Sequence, residues 1–282
     1  MSNPSVVSRG VSKTRRVVGK ARRTANGALV RRRTPRLEGT DGIAVVRGYP
    51  LVLPDAEASP VAKRIISLGY TEPKFTAMVE RVLSPGQVVA DVGASIGYFT
   101  CLMAHSVGPK GRVIAFEPWP KALRYLRHNI EVNHLERVTV VPAAAFDESG
   151  HAHLGPPRYR LTMGSNRPAD AVDVRVERFD DFAEIRELPR LDAIKMDIEG
   201  AELRALRGMT ATLARWKPLL LMEVHPTFLQ VYDDSLEALY SFLGDLDYAY
   251  APVEGPLSGD DGFHIAAAPV QRLYSHGLVP VS

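Results

Sequence analysis

The chain has one cysteine and no long hydrophobic run. These two features argue against a disulfide-stabilised protein and against a membrane-spanning one. Cys101 has no partner for an intramolecular disulfide, so the sequence suits a reducing compartment. We therefore expect a cytoplasmic protein in which this thiol packs in the core. No apolar stretch approaches the roughly 20 residues that a membrane-spanning helix needs, so we expect no transmembrane segment.

Acidic residues are missing from the first 36 positions, which hold 11 lysines and arginines. The whole chain has 35 basic and 32 acidic residues, so the remainder has 24 and 32 and a net charge of about −8. We interpret residues 1–38 as a basic, disordered tail. Two alternatives stay open: an arm that makes weak electrostatic contact with nucleic acid or anionic lipid, and an organelle-targeting sequence.

A glycine loop joins two apolar segments near the middle of the chain. Val88–Val92 precedes Gly93 and Gly97, and Arg112–Phe116 precedes Glu117. Glycines let the backbone approach a ligand closely, and an acid at the tip of the second strand can accept hydrogen bonds from ribose hydroxyls. The pattern predicts a nucleoside-binding βαβ unit.

Apolar periodicity extends this unit into an α/β fold. Strands are predicted at residues 138–141, 191–196 and 219–224, and helices at residues 73–83, 98–107, 120–133 and 235–246. Alternating strands and helices predict a doubly wound, mostly parallel sheet. Residues 248–253 and 263–268 flank a loop rich in Gly, Pro and Asp, which predicts a terminal hairpin.

The remaining segments are less regular. Residues 39–70 read as an irregular lead-in with a possible strand at residues 49–53, and residues 147–176 show no periodic pattern before a strand at residues 172–176. Asp234 and Glu237 resemble a capping box for the helix that follows. We therefore expect a tail at residues 1–38 and one domain at residues 39–282, with a lead-in and helix at 39–85 and the catalytic sheet at 86–282.

Three segments of the chain resemble the FkbM-type family of S-adenosylmethionine-dependent methyltransferases. They are Asp91–Thr100, Phe116–Pro118 and Ile194–Glu202, and the last is the most specific. The resemblance extends from about residue 69 to about residue 225. It implies a seven-stranded Rossmann-like fold, S-adenosylmethionine as cofactor, and O-methylation of a small-molecule, lipid or sugar hydroxyl. Ser95 departs from the family pattern, which more often has Asn there.

The resemblance and the βαβ pattern together predict a cofactor site. Its residues are Asp91, Gly93, Ser95, Gly97, Glu117, Ala144 and Asp197. The carboxylate of Asp91 can order the loop and also accept the amino group of the ligand, although capping a helix is its alternative role. Glu117 would bind the ribose, Ala144 would floor an adenine pocket, and Asp197 would face the sulfonium end.

Polar residues stand at the ends of the fourth and fifth strands of the predicted sheet. They are Asp197, Glu199, Glu223 and His225. Because the carboxyl ends of parallel strands meet at one edge, we expect these four side chains to form a catalytic edge with His225 as general base. The acids could hold magnesium or calcium. We favour a metal-free site, because Asp197 and Glu199 also suit a helix start.

Three alternative functions follow from the same sequence. An NAD-dependent oxidoreductase is disfavoured by Ser95 and Tyr98, which stand where the dinucleotide motif has glycines. A nucleic-acid methyltransferase guided by the tail is disfavoured because Met196–Glu199 is not the Asn/Asp-Pro-Pro-aromatic segment typical of base methylation. A catalytically inactive binding module is the third. We expect residues 39–75 and 147–171 to shape the acceptor pocket.

Overall fold

The computed structural model describes residues 27–155, 160–163, 167, 169–254 and 262–281. Most of the predicted basic tail, residues 1–26, lies outside this part of the chain. The chain divides into two units, Met1–Thr71 and Glu72–Ser282. Within the described part, none of the helices combines the length and the apolar character that crossing a bilayer demands.

The first unit contains more regular structure than its sequence predicts. Residues 27–33 form helix α1, strand β1 (Gly42–Val46) pairs antiparallel with β2 (Tyr49–Leu53), and α2 spans Pro60–Leu68. Arg47 and Gly48 both have positive φ, as a two-residue hairpin turn requires. The strand at 49–53 is confirmed. Helix α2 was missed because it buries only Ala62 and Ile65, which is too sparse a pattern to read as a helix.

The second unit holds eleven strands and nine α-helices within its described residues. The strands are β3 (Val88–Val92), β4 (Arg112–Phe116), β5 (Val138–Val141), β6 (Ala144–Phe146), β7 (Gly150–Gly155), β8 (Arg160–Thr162), β9 (Val172–Arg178), β10 (Ala193–Met196), β11 (Leu219–Val224), β12 (Ala249–Glu254) and β13 (Phe263–Ala268). The helices are α3 (Pro73–Val82), α4 (Tyr98–Val107), α5 (Pro120–Val132), α6 (Ala183–Arg186), α7 (Glu202–Gly208), α8 (Thr210–Trp216), α9 (Pro226–Leu229), α10 (Leu236–Asp245) and α11 (Val270–Ser275).

Seven of these strands form the main sheet, in the order β12-β13-β11-β10-β3-β4-β5. Strand β13 is antiparallel to both of its neighbours, and the other pairs are parallel. This arrangement confirms the predicted doubly wound, mostly parallel sheet with a C-terminal antiparallel hairpin. It also places β10 directly beside β3, so the residues that follow these two strands lie next to each other.

Alternating side chains cover both faces of the main sheet. On β4, Ile114 and Phe116 belong to a large core cluster with Phe179 and Phe182, whereas Ala115 packs on the other face against residues of α5. Burial on both faces explains why these strands read as continuous apolar runs. Cys101 is fully buried in α4, and this burial raises the pKa of its thiol to about 12, which agrees with a packing role.

Residues 147–171 were predicted to be irregular, and this prediction is wrong, whereas the strand predicted at residues 172–176 is confirmed as part of β9. Strands β7, β8 and β9 form a second sheet with β6, in the order β6-β9-β7-β8. Ala152 and Leu154 of β7 and Leu161 of β8 are the buried apolar side chains of these two strands, so the alternation is too short to indicate strands. This small sheet supplies side chains to the cavity described below.

The start of α10 also differs from its prediction. The N-cap is Ser235, whose hydroxyl accepts a hydrogen bond from the backbone of Ala238 at 3.2 Å. Asp234 instead accepts hydrogen bonds from Arg204 and Arg207, both at 2.9 Å. Two cap-forming residues stand next to each other in the sequence, and long-range ion pairs decide which of them caps.

Candidate functional site

The glycine loop after β3 is held against β4 and β10. The backbone amides of Gly93 and Ala94 both donate to the carbonyl of Phe116, at 3.0 and 2.9 Å. Gly93 has φ +81°, and a Cβ at this position would lie 1.9 Å from the carbonyl oxygen of Asp197. Only glycine allows this close approach, because a side chain would push the two strand ends apart.

Gly97 lies where the glycine loop meets α4, and its predicted role in cofactor binding stays a prediction. It has φ +95° and ends the loop as the N-cap of α4. A Cβ here would lie 2.9 Å from Leu126, so its absence lets α5 pack against the loop. Gly97 is therefore a packing glycine, away from the cavity lining.

Glu117 follows β4 and binds two segments of backbone at once. Its carboxylate accepts hydrogen bonds from the amides of Ser95 and Trp119, both at 2.7 Å. Burial raises the pKa of Glu117 to about 7, although the two hydrogen bonds act to lower it. The carboxylate thus orders the loop and the start of α5, at the edge of the cavity that is described below.

Asp91 is fully buried below the loop and does not line the cavity. Thr100 donates a hydrogen bond to it at 2.5 Å, and the ammonium of Lys195 lies 3.5 Å from its other oxygen. Burial raises the pKa of Asp91, while Lys195 and Thr100 act in the opposite direction. The geometry supports the loop-ordering part of the prediction for Asp91, because direct contact with a ligand would need an exposed oxygen.

A cavity of about 220 Å³ opens at the carboxyl ends of β3, β4 and β10. Its lining includes five of the seven predicted cofactor-binding residues, which are Gly93, Ser95, Glu117, Ala144 and Asp197. Apolar side chains that the sequence analysis missed complete it, namely Trp119, Leu154, Leu161 and Ile198. Leu154 and Leu161 come from the small sheet, whose strands were not predicted, so no local pattern identified them.

The four residues of the predicted catalytic edge lie close together. The Nε2 atom of His225 is 3.5 Å from Glu223 and 3.9 Å from Glu199. Asp197 and Glu199 line the cavity, and Lys195 lies 3.7 Å from Asp197. Partial burial raises the pKa of Asp197 to about 6, against the effect of Lys195 and with the help of neighbouring carboxylates.

A second histidine stands behind this edge. His264 of β13 is buried, and its Nε2 lies 3.3 Å from Glu72 and 3.5 Å from Glu223. Burial opposes its protonation, but the two carboxylates prevail and raise its pKa to about 9. His264 in turn lowers the pKa of Glu223, although burial acts to raise it. Glu223 therefore carries its negative charge across the neutral pH range.

Two sets of side chains have spacings that a divalent cation could bridge. One is Asp197, Glu223 and His225, and the other is Glu72, Glu223 and His264. Within each set the ligand atoms lie within 4.8 Å of one another. In the second set, the two carboxylates raise the pKa of His264 to about 9, so a protonated His264 can supply a positive charge between them.

Charged residues inside apolar strands were the signal that the sequence analysis did not use. Lys195 lies in the apolar strand β10 and His264 in the apolar strand β13, and both are buried. Lys195 donates a hydrogen bond to the carbonyl of Gly93 at 3.0 Å, which ties β10 to the loop. A buried charge requires a partner, so each of these residues pointed to an acid nearby.

Glu202 anchors the segment that follows β10. It is fully buried at the start of α7 and accepts a hydrogen bond from the backbone of Gly200 at 3.0 Å. Its Oε2 atom has no hydrogen-bond partner among the described residues. Burial raises its pKa to about 8, so the carboxyl group is mostly protonated at neutral pH.

We expect Glu202→Gln to stabilise the protein at high pH only. The proton on Glu202 contributes stability that is complete below the ordinary pKa of 4.5 and is lost as the pH rises through about 8. Glutamine stays neutral and keeps an oxygen for the amide of Gly200. Thermal unfolding at pH 5 to 9 should show equal melting temperatures at pH 5 and a higher one for the variant at pH 9. Glu237→Gln, at an exposed helix start, is the matched control, and the same pH profile in both variants would contradict a buried proton on Glu202.

Comparison with known proteins agrees with the geometry of this site. Residues 91–250, more than half of the chain, match the methyltransferase FkbM domain family. Methyltransferase 1 of Beauveria bassiana is 27% identical over 145 residues, which cover 43% of this chain and 57% of that protein. The chain thus spans little more than half the length of this relative.

Two further comparisons involve proteins named FkbM. The 31-O-demethyl-FK506 methyltransferase FkbM of Streptomyces tacrolimicus is 28% identical over 221 residues, which cover 66% of this chain and 82% of that protein. The crystal structure of methyltransferase FkbM from Methylobacillus flagellatus KT has a TM-score of 0.46 and 20% identity, and the match covers 73% of this chain and 59% of that one. The family match, which includes the end of β3 and all of β4, β10 and β11 with the residues that follow them, shows that the chain belongs to the FkbM family of methyltransferases.

Proposed function

We propose that this chain transfers a methyl group from S-adenosylmethionine to a hydroxyl group of an acceptor. The observation that carries the proposal is the cavity lined by Glu117, Asp197 and the backbone of Gly93. It combines an acid after the second strand of the βαβ unit, an acid after the neighbouring strand, and a loop that only glycine can form. The family match supports the same reaction class.

The chemistry of the cavity suits S-adenosylmethionine. Glu117 would accept hydrogen bonds from the ribose hydroxyls, because a carboxylate has lone pairs beyond the two that bind backbone amides. The small side chains of Ala143 to Ala145 leave room for a flat base. Asp197 would place a negative charge near the positive sulfur. When bound, the cofactor supplies a methyl group on this positively charged sulfur.

The residues of the chain would contribute positioning and proton transfer. His225 would take the proton of the acceptor hydroxyl, and the carboxylate of Glu223, 3.5 Å from its Nε2, would stabilise the resulting imidazolium. His264, which also pairs with Glu72, keeps Glu223 in its ionised form. Lys195 would keep the loop and Asp197 in register through its contacts with both.

A hydroxyl acceptor is the choice that the relatives favour. The Streptomyces relative is named for an O-demethyl substrate, and a base such as His225 is useful when the acceptor must lose a proton. The acceptor class, a small molecule, lipid or sugar, stays a prediction, as do the cytoplasmic location, the role of the basic tail and the domain division at residue 38. The oxidoreductase and nucleic-acid alternatives gain no support from the family match.

The reaction class can be tested without knowledge of the acceptor. We expect S-adenosylmethionine, and not NAD, to raise the melting temperature of the purified chain. Incubation with methyl-labelled cofactor and a metabolite extract should then transfer label to an acceptor. Stabilisation by NAD, or binding of neither S-adenosylmethionine nor NAD, would contradict the proposal.

The ribose assignment makes a quantitative prediction. Loss of a charged hydrogen-bond acceptor typically costs about 1.5–3 kcal/mol, so Glu117→Ala should weaken S-adenosylmethionine binding about 10- to 100-fold. Calorimetric titration measures this, with Glu136→Ala, an exposed acid, as the control. Because Glu117 also binds the loop backbone, the melting temperature of the variant has to be recorded alongside. Unchanged affinity would remove Glu117 from the cofactor site.

A further inference from the structure

Arg160 is a cation without a counter-ion in the described part of the chain. It begins β8 at the edge of the small sheet and is partly buried. Its guanidinium makes no hydrogen bond or ion pair with any described residue. The centroid of the Phe228 ring lies 5.0 Å from the guanidinium carbon. A guanidinium has five N–H donors, and those of Arg160 meet no acceptor among the residues that the structure describes.

The position of Arg160 connects it to the proposed site. Phe228 lies in α9, directly after His225, and the two rings stack with centroids 5.2 Å apart and 28° between their planes. The hydroxyl of Tyr232 donates to the carbonyl of Leu161 at 2.9 Å, which fixes β8 at this place. The guanidinium thus contacts the ring that stacks on the predicted general base, and it lies on a strand that is anchored.

Three acids of the second unit already have partners or are buried. Asp147 and Asp234 pair with Arg204, and Asp234 also pairs with Arg207. Glu202 is fully buried, so its carboxyl group places no charge at the surface of the site. Phe228 covers one side of the guanidinium, which removes water there and strengthens its attraction for an anion.

We propose that Arg160 binds an anionic group, a carboxylate or a phosphate, on the acceptor whose hydroxyl meets His225. This inference rests on the proposed function, because it names the substrate class of the same site. The planar fork of a guanidinium matches both oxyanions with two parallel hydrogen bonds. Attraction at this point also offsets the repulsion that the acidic edge of Asp197, Glu199 and Glu223 exerts on an anion.

Binding is tested directly by nuclear magnetic resonance of the full chain saturated with S-adenosylhomocysteine. The Nε–H signal of Arg160, identified by its absence in Arg160→Gln, should shift saturably with inorganic phosphate and with D-glucuronate but not with D-glucose. Arg167, already paired with Asp173 at 3.2 Å, is the control and should shift little. A shift with one oxyanion only would identify the anion class. No saturable shift with either anion, or equal shifts at Arg167, would overturn the proposal.

The charge of the methylated product gives a second test. Label transferred from S-adenosylmethionine to a metabolite extract should be retained by an anion-exchange resin. Arg160→Gln should reduce this labelled product about 10-fold or more, and Arg160→Lys should restore part of it, while both bind the cofactor as the wild type does. A labelled product that passes the resin unretained would overturn the anionic acceptor and leave the methyltransferase proposal intact. Failure to bind the cofactor at all would instead contradict the proposed function.

Discussion

Gly93→Ala is expected to abolish S-adenosylmethionine binding and to destabilise the protein by more than about 3 kcal/mol. The new Cβ would lie 1.9 Å from the carbonyl oxygen of Asp197, and the backbone at φ +81° is unfavourable for any residue with a side chain. Relief of the clash requires β3 and β10 to separate at their carboxyl ends. This movement would displace Asp197 and the loop together, so folding and binding should fail together.

A matched glycine separates the clash from the backbone strain. Gly86 has φ +86°, and a Cβ there would meet nothing within 4 Å. Gly86→Ala should therefore lose only about 1–2 kcal/mol, the cost of the left-handed conformation, and bind the cofactor normally. Urea unfolding and calorimetric titration measure both variants. If the two variants lose the same stability, the close contact between Gly93 and Asp197 does not decide the local structure.

The main sheet was predictable because each of its strands is indicated by its own short stretch of sequence. Burial on both faces makes β3, β4 and β11 largely apolar runs, and the predicted bounds of β5 and β11 agree with the structure to the residue. The carboxyl ends of parallel strands share one edge, so residues after β10 and β11 were correctly predicted to meet. Sequence order and strand type were sufficient to place Asp197 beside Glu223 and His225.

The rest of the site depends on contacts between distant parts of the chain. Glu72 and His264 are separated by most of the second unit, yet their side chains lie 3.3 Å apart. A periodic sequence pattern does not predict an ion pair between residues that are so far apart in the chain. Leu154 and Leu161 reach the cavity through short strands whose pairing is set by the small sheet as a whole. The prediction for Asp91 was incomplete for the same reason: it put the residue at the loop but did not indicate that the side chain lies buried beneath it.

His225→Ala is expected to lower the rate of methyl transfer about 10²- to 10⁴-fold, the usual contribution of a general base. Cofactor affinity should stay within about two-fold of the wild type, because His225 does not line the cavity. The comparison needs the acceptor that the labelling experiment supplies. His151→Ala, at an exposed position of β7, is the control and should retain full activity.

Glu223→Gln probes how this histidine is supported. Glutamine keeps the shape of Glu223 but removes the charge that faces both His225 and His264. If the carboxylate stabilises the imidazolium, the variant should lose rate with little change in cofactor affinity, as a group used mainly in the transition state does. A chelator separates this mechanism from a metal site at Asp197, Glu223 and His225, because it should leave the wild-type rate unchanged. Inhibition by the chelator with recovery on added magnesium would replace the general base by a metal. Full activity of both His225→Ala and Asp197→Ala would remove the catalytic edge from the mechanism altogether.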